Sequence, residues 1–195
     1  METRDRIVRS AAKLFLTRSY QAVGVGDLCA VADVRKGSFY HFFPSKADLA
    51  KAVVDLHAGE LERRLAAEAG GGPADRLRAV ADAVTLIQTG FEKRFGRIVG
   101  CPFGNLAAEL STTDDSLREH VAGVFTRWEA SLAEACRDAA AHGALREGVD
   151  PDRLAHLVLA QIQGLILLAK VTGGPARDIT EGLHAFITAN LREGA

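Results

Sequence analysis

Apolar residues recur along most of the chain at intervals of three and four, the repeat of a helix with one buried face. Glycine, proline and short polar residues fall between these runs. The first run sets Ile7, Ala11, Leu14 and Phe15 on one face and arginines on the other, predicting a helix over about 4–17. Two short helices follow, at 25–32 and 36–43, joined by Asp33, Val34 and Arg35. Asp33 falls at the turn, and aspartate tolerates left-handed backbone better than most non-glycine residues. Ser45 is a good N-cap with Asp48 three positions on, in the manner of a capping box. Ala50, Val53, Val54, His57, Leu61 and Leu65 then mark a long helix over about 45–69 that ends at the glycine-proline cluster 70–73.

The second half continues the pattern. Leu77, Val80, Ala81, Val84, Ile87, Phe91 and Phe95 share a face, a break at "GC" precedes a short helix from Pro102, and Leu117 to Ala139 supply another apolar row. Pro151 opens a helix that is apolar on nearly every side between Leu157 and Ala169, and a last amphipathic run uses Ile179, Leu183, Phe186, Ile187 and Leu191. The expected fold is all-α, with about nine helices. Three short helices over 1–50 form one domain, the helix at 45–69 links it onward, and 70–195 form a second helical domain.

A helix that is apolar all round must be covered all round. A larger core within the chain is one way; a second copy is the other, and two helices from each chain would close a two-fold dimer as a four-helix bundle. The dimer is the favoured reading, with Leu159, Ile162, Ile166, Leu183, Phe186 and Ile187 as the expected contacts. The apolar run 154–171 carries His156, Gln161, Gln163 and Lys170 and is short for a bilayer span of ~20 residues, so it reads as a buried helix rather than a membrane segment.

Three cysteines, Cys29, Cys101 and Cys136, are odd in number and irregularly spaced, and the chain does not open like a signal peptide. Free thiols in a reducing cytoplasm are expected. The histidines show no metal spacing, no nucleophile has a visible base partner, and the glycines at 70–72 follow no strand that would make them a phosphate loop. Neither a metal, a cofactor nor catalysis is expected. The net charge of -1 hides an asymmetry: residues 1–50 hold eight basic and five acidic side chains, net +3, leaving -4 for the rest. A basic head on an acidic body suits a protein that meets a polyanion at one end.

The stretch "KGSFYHFFPSK", 36–46, gives that head its chemistry. On a helix Lys36, Gly37, Tyr40 and His41 share one sector, while Ser38, Phe39 and Phe42 fall on the other side, with Phe39 and Phe42 as core anchors and Phe43 packing beside the following turn. With 25–32 as the preceding helix this is a helix-turn-helix over 24–43, whose second helix enters the major groove of duplex DNA. Lysines suit phosphates, glycine lets the backbone approach, and Ser38, Tyr40 and His41 offer hydrogen bonds to phosphates or base edges. The candidate DNA-binding residues are Gly24, Val25, Arg35, Lys36, Gly37, Ser38, Tyr40, His41 and Lys46.

The same segment, "VGVGDLCAVADVRKGSFYHFFPSKADL", resembles the helix-turn-helix of the TetR (AcrR-like) family of transcriptional regulators, over about 3–58. The resemblance implies an all-α homodimer with an N-terminal DNA-binding domain and a C-terminal domain that binds a small effector and carries the dimer contact. It also implies operator contacts at Lys36, Ser38, Tyr40, His41 and Lys46. Three positions depart from the family pattern: Gly24 stands where serine or threonine is usual, Asp33 where glycine is commoner, and Arg35 where serine is frequent. Arg35 adds a donor for a phosphate or guanine and implies its own operator preference.

"GCPFGNLAAEL", 100–110, more weakly resembles a segment of drug-responsive members related to lincomycin-resistance regulators. Candidate effector-lining residues are Phe91, Phe103, Asn105, Phe125, Trp128, Gln161 and Gln163, aromatic walls with a few amides suited to a partly apolar ligand. The plainer reading of those aromatics is core. The expected function is a repressor released from a palindromic operator by a small effector. The alternatives are a redox or electrophile sensor through Cys101, whose thiolate would be stabilised at a helix start, and a ligand-sequestering helical protein without DNA regulation.

Overall fold

A computed structural model describes residues 2–67 and 71–194. Among them it shows nine α-helices: α1 (Thr3–Thr17), α2 (Val25–Ala32), α3 (Lys36–Phe42), α4 (Lys46–Ala67), α5 (Pro73–Phe95), α6 (Pro102–Leu110), α7 (Asp115–Ala141), α8 (Pro151–Thr172) and α9 (Ala176–Asn190). The expected end of the linking helix at 68–69, and the first glycine of the cluster after it, lie outside the described residues.

Contacts divide the chain into two compact units that do not follow chain order. The first holds Met1–Glu60 together with Pro102–Val124; the second holds Leu61–Cys101 and Phe125–Ala195. The sequence suggested a division near residues 50–70 alone, because nothing local signals that α6 and the start of α7 return to the N-terminal helices.

In the first unit Ile7, Ala11, Leu28, Phe39 and Leu49 are fully enclosed, and α1 packs against α2 and α6. Local polar groups set the helix ends. The Asp27 carboxylate accepts from the Gly24 N–H at 2.9 Å, half of a capping box whose other half needs the side chain that glycine lacks. Asp33 ends α2 in the left-handed region (φ 50°), and the Arg6 guanidinium donates to the Ala32 carbonyl at 2.8 Å, capping the same end. At α4 the Ser45 hydroxyl accepts from the Asp48 N–H at 3.1 Å and donates to the Asp48 carboxylate at 2.7 Å.

In the second unit α9 packs against both α5 and α8. Thr180 donates to Thr85 at 2.9 Å and His184 pairs with Asp82 at 2.8 Å, tying α9 to α5. The inner face of α8, Leu154, Ala155, Val158, Leu159, Ile162, Ile166 and Ala169, is buried in the chain. Of the expected dimer contacts, Leu159, Ile162, Ile166, Leu183 and Ile187 are therefore core, and Phe186 is half-buried. The large apolar residues of α8 left exposed are Leu157, Leu167, Leu168 and Val171. Length does not separate this helix from a bilayer span, since all 22 residues of α8 are long and apolar enough; the commitment of its inner face to the core does.

Candidate nucleic-acid interface

Helix α3 is short and is held by one row. Phe39 is completely buried, and Phe43, which leaves helical geometry at the C-cap, packs on it with ring centres 6.1 Å apart. The Arg4 guanidinium lies 5.3 Å from the centre of the Phe43 ring. Phe42 had been expected in the core beside Phe39; it is 36% exposed instead and stands edge-on to His41 at 4.9 Å. The extended backbone at Phe43 takes over the anchoring position that a continued helix would have given to Phe42.

Opposite that anchor lie Arg35, Lys36, Gly37, Ser38, Tyr40 and His41, all exposed. Tyr40 is 52% exposed, and its ring is braced edge-on by Phe39 at 5.2 Å, so the hydroxyl stands on a rigid arm. Ser38 shares this open surface, although a simple two-sided reading had placed it inward. Gly24 is exposed at the head of α2 and Val25 is half-buried. No acidic residue lies on α3, so the surface presents cations, hydroxyls and one imidazole without a competing carboxylate.

Lys46 does not join this surface. It is the first residue of α4, and its side chain turns back over the α1–α2 loop. There Nζ donates to the carbonyls of Tyr20 at 3.0 Å and Val23 at 3.1 Å, 4.1 Å from the centre of the Tyr20 ring. Two of its three ammonium protons are committed to the protein. Burial lowers its pKa, with Glu109 acting in the opposite direction. Burial also raises the pKa of the Tyr20 phenol, helped by Asp114, Asp48 and Glu109.

Sequence reasoning missed the other group on this loop. Glu109, on α6, accepts hydrogen bonds from the Ser19 hydroxyl and from the backbone N–H groups of Tyr20 and Gln21. Lys51 on α4 donates to Ser116 of α7 at 2.6 Å, and Asp55 of α4 pairs with His120 of α7 at 2.8 Å, also within the first unit. His57, half-buried on α4 with its Nε2 enclosed, has its pKa pushed down to about 4 by desolvation and is neutral at pH 7.

The expected effector residues are divided between the two units. Phe103 and Asn105 belong to the first unit; Phe91, Phe125, Trp128, Gln161 and Gln163 belong to the second. Trp128 is buried, Phe91, Phe125 and Gln163 are half-buried, and Gln161 lies at heptad spacing with Leu157, Gly164, Leu168 and Val171 on the outer side of α8. Gln88, not singled out from the sequence, continues the inward row Leu77, Ala81 and Val84 of α5. It is 2% exposed, its amide oxygen has no hydrogen-bond partner, and it is the one fully buried polar side chain among the described residues. The side-chain nitrogen of Gln163 is likewise enclosed without a partner. Cys29, Cys101 and Cys136 are buried, and burial raises the Cys136 thiol to about 11.

These features define a helix-turn-helix DNA-binding protein of the bacterial regulator class. Residues 7–53 match the family "Bacterial regulatory proteins, tetR family", and residues 73–180 match "Tetracyclin repressor-like, C-terminal domain". The chain belongs to the TetR family: it is a ligand-responsive, DNA-binding transcriptional regulator and not an enzyme. It is 31% identical to the transcriptional regulator AcuR of Cereibacter sphaeroides over 92% of this chain and 80% of that one. It is 30% identical to the repressor DhaR of Mycobacterium sp. strain GP1 over 86% of this chain and 82% of that one. The crystal structure of Escherichia coli NemR in its reduced form superposes with a TM-score of 0.81 at 25% identity, covering 98% of both chains.

Proposed function

We propose that the protein binds a palindromic operator as a homodimer, each copy placing α3 in a major groove. The observation that carries this reading is the exposed set Lys36, Gly37, Ser38, Tyr40 and His41 on one side of a helix whose other side is pinned by buried Phe39. Lys36 and the N–H groups at the head of α2, around Gly24 and Val25, meet phosphates. Gly37 admits close approach of the backbone, and Ser38, Tyr40, His41 and Arg35 supply hydrogen bonds to phosphates and base edges. Lys46 serves the interface indirectly, by holding the α1–α2 loop. The dimer contact is assigned to the exposed stripe of α8, Leu157, Leu168 and Val171 around Gly164, with Leu167 beside it.

The effector we assign to the second unit is small and uncharged, with Phe91, Phe125, Trp128 and Gln163 as candidate contacts and Gln88 as a buried acceptor for its N–H or O–H. No charged side chain among the described residues is fully buried, so an ionised ligand would lie enclosed without compensation. A bacterial operator places the protein in the cytoplasm.

Tyr40→Ala tests the interface. Measured at fixed salt on the duplex that the wild type selects from random sequence, operator affinity falls about tenfold, the loss of one or two groove contacts. Unchanged affinity would reject α3 as the reading helix. A thiol signal through Cys101 is the second reading, supported by NemR having a structure described as its reduced form. If an oxidant still releases operator from Cys101→Ser, that reading fails.

A further inference from the structure

The α6 segment, from the second half of the chain, shares a compact unit with the helix-turn-helix, and polar contacts between them converge on one loop. This loop, 19–23, leads from α1 to Gly24, the N-cap of α2. On one side the Glu109 carboxylate accepts from the Ser19 hydroxyl at 3.0 Å, the Tyr20 N–H at 3.0 Å and the Gln21 N–H at 3.2 Å. On the other, Lys46 donates to the carbonyls of Tyr20 and Val23 at 3.0 and 3.1 Å. The N–H groups of the loop thus face an anion carried by α6, and its carbonyls face a cation carried by the first turn of α4.

Two physical points give this arrangement a role beyond packing. Glu109 stands in the last turn of α6, where the helix dipole disfavours a carboxylate. Its place is explained by what it holds rather than by what α6 needs. Bonds to an ionised acceptor are also stronger and more directional than an apolar contact, which can slide. Displacing α6 by about 1 Å would stretch all three bonds past the useful range of roughly 3.2–3.5 Å, so the loop must follow α6 or be released by it. Either way the start of α2, two residues beyond Val23, is repositioned.

We propose that Glu109 and Lys46 form a two-sided latch on the 19–23 loop that transmits displacement of α6 to the helix-turn-helix. Glu109 is then a positioning residue for operator recognition, although it touches no nucleic acid. The inference rests on the reading of α3 as the DNA-contacting helix.

A double-mutant cycle tests the latch without an effector. Leu106, buried and one turn before Glu109 on α6, seats that helix, and Leu106→Val loosens the seat. Wild type, Leu106→Val, Glu109→Gln and the double variant are compared for affinity to the selected operator and to an unrelated duplex of equal length, at one salt concentration. Thermal unfolding and circular dichroism check that each is folded. Glu109→Gln is expected to weaken operator binding about tenfold while changing unrelated-duplex binding less than about twofold. Leu106→Val alone should cost about threefold and add nothing in the Glu109→Gln background, since the path it uses is already cut. Glu109→Asp, which keeps the charge, should recover part of the affinity, and Lys46→Met should reproduce the loss from the opposite side. Additive losses, or equal losses on both duplexes, overturn the latch. Failure of the wild type itself to prefer any duplex overturns the DNA-binding reading on which it rests.

Discussion

Helix α3 is richer in aromatic residues, and α8 in aliphatic ones, than one buried face requires, and they resolve the excess differently. In α3 a single row, Phe39 continued by Phe43, is enough to anchor the helix, and the outward side carries Lys36, Ser38, Tyr40 and His41. In α8 an inward row of seven residues is buried, and the outward side is still apolar: Leu168 is 60% and Val171 75% exposed. An excess of large nonpolar side chains alone does not distinguish a polyanion-binding face from a protein-binding one. What distinguishes them is whether hydrogen-bonding and cationic groups accompany the outward residues. Tyr40 offers a hydroxyl on an apolar arm, whereas Leu157, Leu168 and Val171 offer nothing but area, which gains free energy only when water leaves it.

The largest effect that separates the two faces comes from Leu168→Arg. The residue lies on the open side of α8 next to the Gly164 level, where nothing crowds the backbone and another helix can approach. A buried, unpaired guanidinium at a two-fold contact appears twice, once per copy. Light scattering coupled to size exclusion should show a monomer at micromolar concentration. Operator affinity should fall more than about 100-fold, because the second half-site is no longer held at high local concentration. Thermal stability of the isolated chain should change by less than about 0.5 kcal/mol, as expected for a surface position. A dimer that survives Leu168→Arg would move the contact elsewhere and dissolve the contrast between the helices.

Much of the fold was legible because periodicity reports a buried face directly. The helical runs, the Ser45–Asp48 start of α4 and the left-handed Asp33 all follow from local chemistry, as do the two short helices that frame the turn. Periodicity fails where a helix has two apolar faces. It could not say which side of α8 turns inward, so Leu159, Ile162 and Ile166 were expected at a partner contact and lie in the core, while Leu157 and Leu168 lie outside. It also fails at a helix end, where the change to extended backbone at Phe43 exchanges the places of Phe42 and Phe43. Groups that act across long sequence separations leave no local trace. Glu109 and the loop it holds are some ninety residues apart, and Lys46 reads as a surface lysine until the carbonyls of Tyr20 and Val23 are seen around it. Gln88 escaped notice for a related reason: at the end of an apolar row an amide looks like a helix residue facing water, and only its burial shows otherwise.

A smaller perturbation sharpens the comparison from the α3 side. Lys36 is exposed at the first position of that helix, and Lys36→Met keeps most of its apolar stem while removing the charge. If the ammonium neutralises a phosphate, each operator half-site loses one released counterion, and the slope of log affinity against log salt becomes shallower by about 0.9 per half-site, close to 2 for a dimer. The loss should be nearly equal on the selected operator and on unrelated duplex, because a phosphate contact carries no sequence information. Tyr40→Ala should instead lose more on the operator and leave the slope nearly unchanged. Binding titrations at four salt concentrations on both duplexes resolve the two outcomes. If Lys36→Met leaves the slope intact and relaxes sequence preference, Lys36 reads a base edge, and the division of the α3 surface into a positioning lysine and reading hydroxyls has to be reversed.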